Sequence, residues 1–222
     1  MSISQLAELI GIGSLETLYV ILTSTLMSYV LGIPIGIILF TTSKDGLCEN
    51  KILNVILGAI VNFLRAVPFI ILLILIMPFT RIIVGSNIGL NAVIVPLVVS
   101  AAPFVGRMVE ASLQEVNSGV IEAAEAMGSS PMQIITKVLL PEAKPSLIVG
   151  AVITITTILG YSAMAGFTGG GGLGAIAVNY GYYKYENGLM IITVIVLVAI
   201  VQLFQEIGIR IVRKADKRIR NN

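Results

Sequence analysis

The sequence contains no histidine and only one cysteine, Cys48, among its 222 residues. The absence of histidine removes the commonest general base and metal ligand. A single cysteine excludes a disulfide within the chain and a cysteine metal cluster. Serine and tyrosine hydroxyls have no histidine to activate them, so we predict neither catalytic residues nor a metal site.

Charge is scarce as well. Charged residues make up 12% of the chain, whereas a soluble domain carries about 25%. Hydrophobic residues make up 56%, and the mean hydropathy is +0.99. The first fourteen residues contain no lysine or arginine, so the basic start of a cleavable signal peptide is missing and we expect none. The composition predicts an integral membrane protein.

Five segments are apolar over the roughly 20 residues that a helix needs to cross a bilayer. They are residues 15–40, 52–79, 88–108, 145–165 and 189–209. We therefore expect an all-α membrane protein in which residues 1–222 form a single domain of about five transmembrane helices. A short interfacial helix is expected over residues 1–14.

The basic residues predict the orientation of these spans. If the N-terminus lies outside, eleven of the fourteen lysines and arginines fall in cytoplasmic segments. Only Arg81 and Lys184 then lie outside, and Arg65 lies within a span. The opposite topology would reverse this ratio. We predict an external N-terminus and a cytoplasmic C-terminus, which puts Cys48 in the first inner loop.

The second span contains an arginine, Arg65, shortly before Pro68. An arginine inside a span is costly and marks a candidate functional site. Arg65 either reaches the inner interface or pairs across subunits, or it contacts a solute path. Pro68 predicts a kink in this helix.

The fourth span carries a mixed stripe of small, hydroxyl, phenol and thioether side chains at helical spacing. Its members are Gly150, Thr154, Thr157, Tyr161 and Met164. Such a stripe suits the path of a neutral or zwitterionic solute, and it equally suits an interface between helices.

Three further stretches lie outside the spans. Glycines at 169–172 and 174 are not followed by the lysine of a phosphate-binding loop, so they predict a sharp turn. Tyrosines at 180, 182, 183 and 185 suit an interfacial aromatic belt or a surface for a binding protein. The basic residues from Arg210 to Arg220 favour anionic membrane lipid, and nucleic acid is not expected.

The longest polar segment, residues 122–141, predicts two helices joined by a glycine elbow. Residues from Glu122 to Met127 favour a helix that starts near Glu122, and Gly128 is typical of a left-handed helix end. Ser130 has the features of an N-cap, with Pro131 at the first helical position and Gln133 placed to complete a capping box. The second helix should stop near Pro141.

This segment resembles the EAA loop of type I ABC importer permeases. The matching positions are Glu122, Ala123, Ala124, Gly128, Val138, Leu140 and Pro141, with valine where the family more often has isoleucine. The resemblance extends to the methionine-uptake branch of the family over residues 65–85, 102–113, 126–147 and 160–166. It implies that the loop docks on a separate ATPase through Glu122, Ala123, Ala124, Gly128, Ser129, Pro131, Leu140 and Pro141.

The same resemblance implies an assembly in the cytoplasmic membrane. A second copy of the chain, two cytoplasmic ATPase subunits that hold ATP and magnesium, and an extracytoplasmic solute-binding protein would complete it. The chain itself would bind no cofactor, and Met164 would border the substrate gate. Methionine is the implied solute, and another small amino acid or betaine is the alternative. An ion-coupled secondary transporter is the competitor from another class, because it would move solute without an ATPase.

Overall fold

The structure is a computed structural model that describes residues 2–215. Eleven α-helices run through these residues, with short 3₁₀ and π turns between some of them. In chain order they are α1 (Ile3–Thr41), α2 (Lys51–Ala66), α3 (Phe69–Leu75), α4 (Met77–Val84), α5 (Leu90–Gln114), α6 (Ser118–Ala126), α7 (Pro131–Ile134), α8 (Leu140–Glu142), α9 (Lys144–Ala165), α10 (Gly172–Ile176) and α11 (Asn187–Ala215).

Four helices, α1, α5, α9 and α11, are long and apolar enough to cross a membrane, and the bent pair of α2 and α3 makes a fifth candidate. The predicted all-α class with about five spans is therefore confirmed. Helix α5 continues beyond Met108 to Gln114. The residues of the basic tail beyond 215 lie outside the described part of the chain.

The first helix differs from the prediction at its start. Helix α1 begins at Ile3 and runs unbroken for 39 residues, about 58 Å. The interfacial helix expected over residues 1–14 is therefore the first part of α1 rather than a separate element. Gly13 lies within it and is buried against the Ile176 side chain.

The second predicted span is broken more sharply than a proline kink. Helices α2 and α3 meet at an angle of 104°. Pro68 adopts an extended conformation (φ −57°, ψ 134°), and proline also disfavours the helical conformation at the residue before it. Residues 52–79 therefore do not form one helix. Helix α4 follows and ends at Gly85, whose φ is +81°.

The chain forms two compact units. Unit 1 contains the chain up to Met27, Val67–Ala101 and Thr154–Glu206. Its core is built from buried aliphatic and aromatic side chains, among them Ile21, Phe69, Leu97, Ile158 and Leu173. These side chains come from α1, α3, α5, α9 and α10, so the glycine-rich segment shares a core with the long helices.

Unit 2 contains Ser28–Ala66, Ala102–Ile153 and the described residues from Ile207 onwards. Gly32 and Gly36 of α1 allow α5 to approach closely, since a Cβ on Gly36 would lie 2.6 Å from the carbonyl oxygen of Gly106. The core of this unit includes Val105, Val109, Leu113, Ile134 and Leu139. The polar segment of residues 122–141 thus packs on α5 through its few buried residues.

Candidate functional site

The polar segment forms the predicted helix, elbow and helix. Helix α6 ends at Ala126, and Gly128 takes the left-handed conformation with φ +77°. The Gly128 N–H donates to the Glu125 carbonyl at 2.8 Å, and the Ser129 N–H donates to the Ala124 carbonyl at 3.1 Å. This pair of bonds is a Schellman motif, which confirms the predicted left-handed helix end at Gly128.

The second arm of the elbow begins with the predicted capping box. The Ser130 hydroxyl accepts from the Gln133 N–H at 3.4 Å, and the Gln133 side chain accepts from the Ser130 N–H at 2.8 Å. Pro131 occupies the first helical position. The arm then passes through a π turn, Ile135–Leu139, and ends at Glu142, one residue after Pro141.

Glu122 does not lie where the sequence suggested. Helix α6 begins at Ser118, and Asn117 caps it by accepting from the Gly119 N–H at 2.8 Å. Glu122 is therefore in the middle of α6, too far from its first turn to interact with the helix dipole. Its carboxylate is exposed, so it remains available to an external cation.

The elbow separates the predicted docking residues into two groups. Ala124 is 3% exposed and packs with the half-buried Leu140 in the core of unit 2. The outward positions are Glu122, Ala123, Gly128 and Pro131, with Pro141 exposed on the second arm and Ser129 half-buried. Ala124 and Leu140 therefore hold the elbow in place, and the outward residues form its free surface.

Two methionines on this surface escaped the sequence analysis. Met127 is 79% exposed and Met132 is 67% exposed, on either side of the elbow. Flexible thioether side chains suit an adaptable protein-binding surface. The sequence did hold a sign of their exposure, because Met127 adjoins Gly128 and Met132 adjoins Pro131, at a turn that points outward.

The stripe on α9 is divided by burial. Met164 is 45% exposed, and Thr157 and Tyr161 are half-buried. The Tyr161 ring stacks on Phe69 with centroids 4.7 Å apart and an interplanar angle of 5°. Thr154 is fully buried within unit 1.

Arg65 lies in the last turn of α2, close to the break before α3. Its side chain is exposed, and its guanidinium carbon lies 6.0 Å from the centre of the Phe104 ring. This is the outer limit of a cation–π contact. The 15 residues from Lys51 to Arg65 span about 21 Å of helix, so Arg65 is far from the start of α2.

A second arginine, Arg107, fixes α2 against α5 within unit 2. Its guanidinium donates to the Glu110 carboxylate at 2.6 Å and to the Asn62 amide oxygen at 3.0 Å. A longer bond of 3.4 Å reaches the carbonyl of Gly58. Sequence spacing gave no sign that Asn62, in the second span, would bind Arg107.

An all-helical chain of this hydropathy, with an exposed helical elbow between long apolar helices, defines a multi-pass membrane component. The model of the family described as "Binding-protein-dependent transport system inner membrane component" matches residues 32–221. The chain belongs to this family. It is a transport component of the inner membrane and not an enzyme.

Curated relatives are similar over most of the chain. A probable D-methionine transport system permease protein MetI of Vibrio cholerae is 48% identical over 212 residues, which cover 96% of this chain and 94% of that protein. The D-methionine transport system permease protein MetI of Escherichia coli K12 is 52% identical over 154 residues, 69% of this chain and 71% of that protein.

Solved structures agree with this placement. A chain from the inward-facing MetNI methionine ABC transporter is 48% identical, with a TM-score of 0.96 over 98% of this chain and all of that chain. A chain of an amino acid ABC transporter is 19% identical, with a TM-score of 0.78 over 96% of this chain and all of that one. The second likeness supports the fold alone.

Proposed function

We propose that this chain is the permease subunit of an ATP-driven importer that carries methionine inward. Support comes from its similarity to MetI proteins along nearly the whole chain. The proposal that an ATPase drives this chain rests on the exposed elbow, which is fixed at Gly128 by a Schellman motif and at Ser130 by a capping box.

The elbow is the docking surface for a cytoplasmic ATPase in this proposal. Glu122 offers a negative charge to a basic group of the ATPase. The resemblance to the EAA loop implies that the rest of the surface consists of Ala123, Gly128, Ser129, Pro131 and Pro141. Met127 and Met132 add an apolar contact on each side of the turn. Ala124 and Leu140 do not contact the ATPase in this proposal; they pack in the same core as residues of α5 and hold the elbow in position.

Met164, Tyr161 and Thr157 are the proposed solute-path residues of α9. The exposed thioether of Met164 supports its assignment to the gate, and the stacked ring of Tyr161 would keep that part of the path rigid. Thr154 belongs to the same proposed stripe, and its side chain is fully buried.

Arg65 is proposed to face the path rather than the inner interface. Its side chain is exposed and lies about 21 Å along α2 from Lys51, so the guanidinium is not held at the start of that helix. A guanidinium in that position can pair with the carboxylate of a zwitterionic solute.

The proposed assembly contains two copies of this chain, two cytoplasmic ATPase subunits and an extracytoplasmic binding protein that delivers the solute. ATP and magnesium bind to the ATPase subunits. With the predicted external N-terminus, each elbow faces the cytoplasm. Closure of the ATPase pair would draw the two elbows together, and rigid helices would carry this movement to the gate.

Reconstitution with a candidate ATPase and binding protein tests the proposal. Labelled methionine should accumulate only when ATP is present on the side of the membrane that holds the ATPase. Unlabelled methionine should compete for uptake more strongly than other small amino acids or betaine. Preferential competition by another amino acid would contradict the substrate assignment. Accumulation by the permease alone would contradict the importer class.

A further inference from the structure

The glycine run of unit 1, residues 169–174, comprises a tight turn after α9 and the first residues of α10, and we call it the glycine turn. Gly172 has φ +69°, a conformation that residues with a Cβ rarely adopt. A Cβ at this position would also lie 2.7 Å from the Thr17 hydroxyl oxygen. The turn thus presses closely against α1, and glycine is required where it does so.

Two polar side chains of α1 hold the turn at this point. The Glu16 carboxylate accepts from the Gly172 N–H at 2.8 Å, and the Thr17 hydroxyl accepts from the Leu173 N–H at 2.9 Å. The Thr17 hydroxyl donates in turn to the Gly13 carbonyl at 2.8 Å. The two N–H groups that open α10 are thereby satisfied by residues 156 positions away in the sequence.

The acidic member of this pair, Glu16, lies in the long apolar helix α1, which also carries the exposed Glu8 near its start. Glu16 is half-buried in the candidate span Ser4–Thr41, and it has no ion-pair partner within the described residues. A carboxylate within such a span is costly and is a candidate for function by default. The backbone N–H of Gly172 is the group that Glu16 binds, so its task is to hold the turn.

The glycine turn also packs against the backbone on both sides of Met164. A Cβ on Gly174 would lie 2.7 Å from the Cα of Ala163. On the other side, the Gly170 N–H donates to the Ala165 carbonyl at 3.1 Å. Residues 163 and 165 therefore contact the glycine turn directly, and Met164 lies between them.

We infer that Glu16 and Thr17 are positioning residues for the gate: they fasten the glycine turn to α1, and the fastened turn fixes the backbone that carries Met164. All these residues belong to unit 1. The inference rests on the proposed function, because it takes Met164 as the gate residue. Loss of either hydrogen-bond acceptor leaves the gate loosely closed and lets solute pass without ATP.

The test uses the complete complex in proteoliposomes preloaded with labelled methionine, without nucleotide. Glu16→Ala and Thr17→Val remove one acceptor each and should raise passive efflux on the order of tenfold. Glu16→Gln and Thr17→Ser retain an acceptor oxygen and should stay within about twofold of the unaltered complex. Glu8→Ala is the matched control, since Glu8 is an exposed carboxylate on the same helix.

A second readout follows the gate itself. In a Met164→Cys background, Glu16→Ala should speed thiol labelling in the nucleotide-free state by a similar factor, and Glu16→Gln should not. A purely structural role would lower the melting temperature of Glu16→Ala without speeding thiol labelling at position 164.

Three results would overturn the inference. They are unchanged efflux in both Glu16→Ala and Thr17→Val, unchanged labelling at position 164, and equal leakage in Glu16→Gln and Glu16→Ala. If Glu16→Ala fails to assemble, Thr17→Val and Gly174→Ala decide, because Gly174→Ala disturbs the contact with Ala163 and should leak too. ATP-driven uptake by the unaltered complex separates the two proposals. If the unaltered complex shows no uptake, the proposed function is contradicted. If it shows uptake and the variants do not leak, only the positioning role of Glu16 and Thr17 is contradicted.

Discussion

Gly128 carries the sharpest conformational demand in the elbow. Its φ of +77° and the two hydrogen bonds across it end α6 and turn the chain towards α7. A side chain with a Cβ is destabilised in this left-handed region by about 1–2 kcal/mol. Open space surrounds the Cα, so conformation and not crowding imposes the requirement for glycine.

Replacing Gly128 by valine should therefore distort the elbow while leaving the transmembrane helices intact. We expect at least a severalfold loss of ATPase co-purification or of ATP-driven uptake, measured on the purified complex. Gly11→Val is the matched control, because Gly11 also has open space around it but a helical φ. Full uptake by Gly128→Val would show that the elbow does not couple the two proteins.

Met164 and Thr154 lie on the same predicted stripe but differ in exposure. A cysteine at Met164 should react with a polar thiol reagent in one nucleotide state and be protected in the other, since a gate residue changes its access to water. Thr154→Cys should react slowly in both states, because that site is fully buried. The measurement is the labelling rate with and without ATP. Equal rates at position 164 in both states would make Met164 a packing residue.

At the level of elements, the capping box sets the direction of the second arm. Ser130→Ala removes the acceptor for the Gln133 N–H and should destabilise the arm by about 1 kcal/mol. Ser130→Asn keeps an N-cap acceptor and is the matched control. We expect a lower melting temperature of the complex and weaker ATPase binding for alanine only. Equal behaviour of the two variants would mean that the cap does not determine the arm.

The elbow was predictable because its signals are local. Gly128, Ser130, Pro131 and Gln133 lie within six positions, and each acts on its immediate neighbours in the chain. Which residues of the elbow are buried was harder to predict from the sequence. Ala124 belongs to the same EAA motif as Glu122, and only the packing of α6 on α5 shows that Ala124 faces inward.

Contacts between distant segments could not be predicted. Pro68 indicated a kink, but a proline by itself does not specify a bend as large as the observed 104°. Glu16 and Gly172 are 156 residues apart, and no spacing rule joins them. The start of α6 was misplaced because Asn117 caps it five residues before Glu122, outside the motif.

For the molecule as a whole, the topology remains a prediction from the basic residues. Cys48 is exposed and is the single cysteine of the sequence, so it reports on one loop without competing signals. A membrane-impermeant thiol reagent should label Cys48 in inside-out vesicles and leave it unlabelled in intact cells. Labelling from the outside would reverse the orientation and put the elbow on the wrong face for an ATPase.

In the proposed mechanism the chain does not hydrolyse ATP itself and receives its driving force at the elbow. The most direct measurement compares methionine accumulation in proteoliposomes that hold this chain alone with accumulation in proteoliposomes that also hold the ATPase and binding protein. We predict accumulation only in the complete system, and only with hydrolysable ATP. Uphill uptake by the chain alone, or equal uptake with a non-hydrolysable ATP analogue, would contradict the account.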